Sequence, residues 1–149
     1  MFKQLTAASL AFAVLAAAAT SAFATDYTVE MRNKGADGVM VFEPVLTQIA
    51  VGDTITFVAT DKGHNAESID GLIPDGAKPF KGQTNKDLTV TFEVPGVYAV
   101  KCLPHFTMGM VALVEVGNDT SNLPAIEAAK LPKMAAKRLA SAFKTLDAE

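Results

Sequence analysis

The sequence predicts an all-β sandwich followed by two short C-terminal helices, and three observations carry that reading. Between Asp26 and Val116, short β-rich runs alternate with Gly, Pro and Asp punctuation. After Gly117 the composition turns to alanine, lysine and leucine. The clearest run is apolar at every second position, so the sheet it joins has an apolar face that only a second layer can cover.

The chain opens with Lys3, an almost uninterrupted apolar run over residues 5–19, and Ala22-Phe23-Ala24. This is the pattern of a secretory leader, so residues 1–24 are expected to be a signal peptide cleaved after Ala24 on export to the periplasm. A retained membrane anchor fits less well, because the run is alanine-rich and falls short of the roughly 20 strongly apolar residues of a span. Residues 25–149 are then expected to form a single domain, with 118–149 as its helical extension.

Tyr27, Val29 and Met31 alternate with polar residues as a half-buried strand does, and Asn33-Lys34-Gly35 is expected to turn the chain. Further runs cover 39–42, 45–51, 54–60, 88–92, 97–102 and 110–116, separated by Gly52-Asp53, Pro74-Asp75-Gly76 and Pro95-Gly96. Two antiparallel sheets are the expectation. Residues 61–87 have weak strand character and are read as a crossover connection with a helical turn, long enough to draw attention as a functional loop. In the tail, Asn122 is the candidate cap of a helix over 123–130, and Pro132 breaks the chain before a second helix over 133–146. Leu139, Ala142, Phe143 and Leu146 share one face of that helix, which is expected to cover the sandwich itself.

The formal charge is −3, which argues against generic nucleic-acid binding. Cys102 is the single cysteine, so an exported chain of this kind cannot form an internal disulfide. An unpaired thiol in an oxidising compartment requires another explanation.

The explanation lies in Lys101-Cys102-Leu103-Pro104-His105-Phe106-Thr107-Met108-Gly109-Met110, where thiol, imidazole and thioether follow one another at short spacing. With His64, the other histidine of the chain, they make the donor set of a His2Cys site with a weak axial methionine, which suits one copper ion in electron transfer. Cys102 ends one strand, Met110 opens the next, and His105 sits on the turn between them. His64 follows the strand over 54–60 and comes from a neighbouring loop at the same end.

Other uses of the cysteine fit less well. A c-type haem needs C-x-x-C-H, and a structural zinc site takes four Cys or His donors where this chain has three. A cysteine hydrolase built on Cys102 and a histidine would leave the methionine spacing unexplained. A copper delivery or storage protein would use the same donors but would be expected to carry methionine-rich or histidine-rich tracts, which this sequence lacks.

These segments resemble the cupredoxins, the blue copper proteins. The resemblance covers nearly all of residues 25–149, including Met40-Val41-Phe42-Glu43-Pro44, Thr60-Asp61-Lys62-Gly63-His64-Asn65, Ile73-Pro74-Asp75-Gly76, Pro95-Gly96-Val97-Tyr98 and the Cys102 to Met110 loop. The two-helix extension also has a counterpart in part of that family, whereas plastocyanin and amicyanin lack it. The resemblance implies a Greek-key sandwich and a monomeric electron carrier, not an enzyme, working between larger redox proteins without lasting membrane association, with a nitrite reductase of denitrification as acceptor.

It also implies residue roles. His64, Cys102 and His105 would be the strong ligands, and Met110, rather than Met108, the axial one. Asn65 would bond the cysteine sulfur through its backbone N–H, while Pro104 and Met40 would pack around the solvent-facing histidine. His105 would expose one ring edge in an apolar patch ringed by Lys34, Lys62, Lys81 and Lys101, which would attract acidic partners. Phe106 and Thr107 depart from the usual pattern, which has a hydroxylated aromatic and a glycine there, and Glu30 replaces a common first-strand histidine. Docking contacts and potential therefore do not carry over.

Overall fold

A computed structural model describes residues 23–148. Of the expected signal peptide, residues 1–22 lie outside the described residues. The sandwich contains β1 (Asp26–Gly35), β2 (Gly38–Glu43), β3 (Leu46–Ile49), β4 (Thr54–Val58), β5 (Glu67–Ser68), β6 (Leu88–Thr91), β7 (Gly96–Lys101) and β8 (Val111–Val116). One sheet has the order β2-β1-β4-β6 and the other β3-β8-β7-β5.

The sheets are mixed, not purely antiparallel. β1 runs parallel to β4 and β3 runs parallel to β8, while the remaining pairs are antiparallel. Parallel neighbours need a crossover, and β2 and β3 supply it by leaving one sheet and entering the other at Glu43-Pro44. The expected turn at 33–35 is also displaced. β1 continues to Gly35, paired with Gly38, and Ala36-Asp37 make the turn.

The alternation read in β1 holds, with Val29 and Met31 buried against Phe42, Ile55 and Phe57 of their own sheet and Tyr98, Val100 and Val114 of the other. β7 and β8 read differently, as nearly continuous apolar runs. Their second faces are covered too, since Val97, Ala99, Val111 and Leu113 pack beneath the C-terminal helices. A strand buried on both sides needs apolar residues at consecutive positions.

Those helices are α1 (Leu123–Glu127) and α2 (Lys133–Asp147). α2 buries Ala135, Leu139, Ala142 and Leu146 and leaves Phe143 partly covered, close to the expected face. Burial of a Leu-sized side chain is worth about 1.5–3 kcal/mol, so this face alone can hold the tail down. α1 is shorter than expected and ends at Glu127. Asn122 makes no side-chain cap bond; its Oδ1 accepts the Val97 N–H at 2.8 Å and its Nδ2 donates to the Val97 carbonyl at 2.8 Å. The amide serves as a one-residue strand partner for β7.

The connection over 61–87 carries no helix among the described residues. It contributes the two-residue strand β5, whose Glu67 and Ser68 pair with Lys101 and Val100. Among the described residues no helix is long and apolar enough to cross a membrane.

Candidate metal centre

Two segments at one end of the sandwich carry the donors. The segment after β4 is held by Asp61, whose N–H donates to the Met31 carbonyl at 3.1 Å and whose carboxylate accepts the Asn33 N–H at 2.7 Å. Asn85 closes it from the other side, accepting the Gly63 N–H at 2.6 Å and donating its own N–H to the His64 carbonyl at 2.9 Å. His64 is thereby fixed with its ring fully buried.

The second segment leaves β7 as a 3-10 turn, Leu103–Met108, and returns into β8. It bonds to itself: the Cys102 N–H donates to the Met110 carbonyl at 3.0 Å, the His105 N–H to the Cys102 carbonyl at 3.2 Å, and the Met110 N–H to the His105 carbonyl at 3.1 Å. Cys102, His105 and Met110 are thus tied together through their own backbone. Gly109 closes the turn in the left-handed region, φ 86°. It sits so close to α2 that a Cβ there would lie 2.8 Å from the Met134 carbonyl oxygen.

The side chains converge. His64 Nδ1 lies 3.1 Å from His105 Nδ1, and the Cys102 Sγ lies 3.7 Å from the former and 3.6 Å from the latter. A point equidistant from the three atoms would be about 2.0 Å from each, the length of a bond from a borderline metal to nitrogen. His64 Nε2 is 2.9 Å from Asn33 Oδ1. That carbonyl can only accept, so Nε2 carries the proton and Nδ1 presents its lone pair to the triangle.

Electrostatics favour a bound cation. Burial, and then the neighbouring His105, push the His64 pKa down, which keeps the ring neutral and available as a ligand. Burial pushes the Cys102 thiol up, partly offset by the backbone N–H groups of Asn65 and His105, which both donate to the sulfur. A thiolate in this setting is stabilised by a metal, and the N–H groups share the remaining charge.

Met110 is fully buried in the same apolar cluster as Cys102, whereas Met108 is 43% exposed. Of the two, Met110 is the methionine that shares the buried cluster of Cys102. Pro104 and Leu103 are exposed and His105 is half-buried. Met40, in the left-handed region at φ 52°, packs against the cluster containing Cys102 and Met110, and its carbonyl accepts from Arg138 at 2.5 Å.

Lys34, Lys62 and Lys81 are exposed. Lys101 is different: its Nζ lies 3.4 Å from Glu67 and 5.3 Å from the centroid of Phe106, and its side chain is 18% exposed. Sequence reasoning missed Asn33, Glu67 and the side chain of Asn65. Asn65 donates to Glu67 at 3.0 Å and to the Gly82 carbonyl at 3.1 Å, and accepts the Leu103 N–H at 2.8 Å. Position beside His64 was the available signal for Asn65; nothing in the sequence marked the other two.

The fold and this donor set define a copper-binding sandwich of the cupredoxin class. The profile of the copper binding proteins, plastocyanin/azurin family, matches residues 29–117. The chain belongs to that family, and copper is the cofactor of the centre. Within it, the kinship is with the pseudoazurins. The pseudoazurin of Paracoccus pantotrophus is 49% identical over 129 residues, 87% of this chain and 89% of that one. The crystal structure of pseudoazurin from Methylobacterium extorquens AM1 superposes with a TM-score of 0.79 at 45% identity, covering 81% of this chain and 98% of that one. Native pseudoazurin from Hyphomicrobium denitrificans gives 0.76 at 44% identity, covering 80% and 97%.

Proposed function

We propose that this chain is an exported, monomeric electron carrier that holds one copper ion on His64, Cys102, His105 and Met110 and passes single electrons between periplasmic redox proteins. The observation that carries the reading is the triangle of two imidazole nitrogens and one thiol sulfur, buried but for the half-exposed His105. Bound copper supplies a one-electron couple. The protein supplies a donor set that changes little between its two states, because the ligand loop is bonded to itself and braced on α2.

Four protein donors leave no open position for a substrate, which favours a carrier over a catalyst. Cys102 is 0% exposed, so a nucleophile's role would need an approach that the packing does not offer. His105, flanked by Leu103, Pro104 and Met108, is the proposed electron exit, with Lys34, Lys62 and Lys81 steering acidic partners toward it. A nitrite reductase is the proposed acceptor, on the family resemblance. Removal of residues 1–24 would accompany export.

The test is the visible spectrum of leader-free protein with one equivalent of Cu(II), beside Cys102→Ser. An intense band that bleaches on reduction, returns on oxidation and is absent from the variant is the expected result. A weakly absorbing complex in folded wild-type protein would remove the carrier reading.

A further inference from the structure

Glu67 is 7% exposed, yet it lies on an edge strand of two residues where the sequence signals no function. A carboxylate in that position needs strong partners. It has two: Lys101 Nζ at 3.4 Å from Oε1, and Asn65 Nδ2 at 3.0 Å from Oε2. Asn65 connects it to the metal loop in two further ways. Its backbone N–H donates to the Cys102 sulfur, and its Oδ1 accepts the Leu103 N–H at 2.8 Å. Glu67 and Lys101 also face each other across the β5–β7 register, so they occupy one side of that sheet.

We propose that the Lys101–Glu67 pair, joined to the ligand loop through Asn65, sets the potential of the copper centre, with Glu67 lowering it and Lys101 offsetting Glu67. This inference rests on the electron-carrier reading. Reduction adds one electron, donated by a redox partner or an electrode, and breaks no bond. A fixed negative charge nearby stabilises the oxidised centre more than the reduced one, and a fixed positive charge does the reverse. Both charges are shielded from solvent, so water and salt screen them less than they screen an exposed residue. Asn65 is the structural arm of the device. Held by Glu67, it keeps its N–H on the sulfur, and a hydrogen bond to a thiolate withdraws charge from the metal bond.

Lys101 is therefore an internal counter-ion and not part of the docking ring. Lys101 ends β7 and Cys102 follows it in extended backbone, so their side chains point to opposite faces, which separates the ammonium from the metal while keeping it against the carboxylate.

The experiment is a set of midpoint potentials for copper-loaded wild type, Glu67→Gln, Lys101→Gln and the double variant, each with its thiolate-to-copper absorption band. Glutamine at position 67 keeps an acceptor for Asn65 and removes only the charge. Glu67→Gln is expected to raise the potential by an amount equal to a threefold to tenfold change in the reduction equilibrium, roughly 30–60 mV at about 59 mV per decade for one electron. Lys101→Gln is expected to lower it, and the double variant to return toward wild type, with the band retained throughout. Shifts of both single variants in the same direction, or shifts below twofold, would overturn the proposal while leaving a reversible wild-type couple and the carrier reading intact. If Glu67→Gln does not fold, Lys101→Gln alone decides, since an unchanged or raised potential overturns the assignment. A wild type with no reversible couple would overturn both readings.

Discussion

The Nδ1 atoms of His64 and His105 stand 3.1 Å apart. Asn33 Oδ1 accepts a hydrogen bond from the other His64 nitrogen, which keeps its proton, so the lone pair of His64 points at its neighbour. Such a contact is satisfied by a cation between the rings or by a proton on one of them. The sequence placed both histidines in one site, and their facing nitrogens explain why the site selects a cation.

The first prediction concerns the copper-free protein and acid. Burial, and then His105, lower the His64 pKa in the folded state below its ordinary 6.5. The unfolded chain therefore binds a proton there more readily than the folded one. The stability that follows is fully present above pH 6.5 and is lost as pH falls through that value toward the depressed folded pKa. Denaturant unfolding of the copper-free protein between pH 7.5 and 5 should show this loss, and His64→Asn should show a shallower one. Equal slopes in the two proteins would refute the assignment.

Asn33→Leu should loosen copper while preserving the fold. Asn33 lies on an exposed stretch of β1, and its role is to accept from His64 Nε2 at 2.9 Å. Loss of a residue that orients a ligand typically costs ten- to a hundredfold in affinity. Competition with a copper chelator should show a decrease of about that size with little change in the unfolding midpoint. Unchanged affinity would mean that packing alone orients the ring.

Gly109 supplies a stability test with an internal control. Alanine there would place a Cβ 2.8 Å from the Met134 carbonyl oxygen and would hold φ at 86°. The left-handed conformation costs about 1–2 kcal/mol for a residue with a side chain, and forced overpacking against backbone adds about 1–3 kcal/mol. Gly71 and Gly76 also have positive φ but have nothing within 4 Å of the added carbon. Gly109→Ala should therefore lose clearly more stability than Gly71→Ala or Gly76→Ala, and it alone should alter the copper band. Equal losses would show that α2 yields freely.

How far the sequence could be read follows from the range of each interaction. Alternation in β1 and continuous apolar runs in β7 and β8 are local, so the strands were legible within a few residues. The spacing of Cys102 and His105 is also local, and their sulfur and nitrogen meet as it implied, 3.6 Å apart. The parallel pairings of β1 with β4 and β3 with β8 were not legible, because strand direction depends on where β2 and β3 cross between sheets. Asn122 was read as a helix cap because Asn beside a helical run usually is one. It serves β7 instead, and the 25-residue separation from Val97 left no local trace. Glu67 was invisible for the same reason: its partners come from β7 and from Asn65, and its own neighbours carry no pattern.

The last prediction separates steering from tuning. Lys62 and Lys81 are exposed and lie on segments next to the metal loop, whereas Lys101 is engaged by Glu67 and Phe106. An exposed charge raises the encounter rate with an oppositely charged partner, and salt screens it over a Debye length of about 10 Å at 0.1 M. Lys62→Gln and Lys81→Gln should therefore slow electron transfer to an acidic redox protein by about threefold each at low ionic strength, with the deficit vanishing as salt is added and the potential unchanged. Lys101→Gln should give the opposite pattern, a changed potential and a wild-type salt dependence. Stopped-flow rates across an ionic-strength series would distinguish the two, because a charge that acts on encounter is screened by salt far more than one that acts on the copper from within the protein. A steep salt effect from Lys101→Gln would return that lysine to the docking surface.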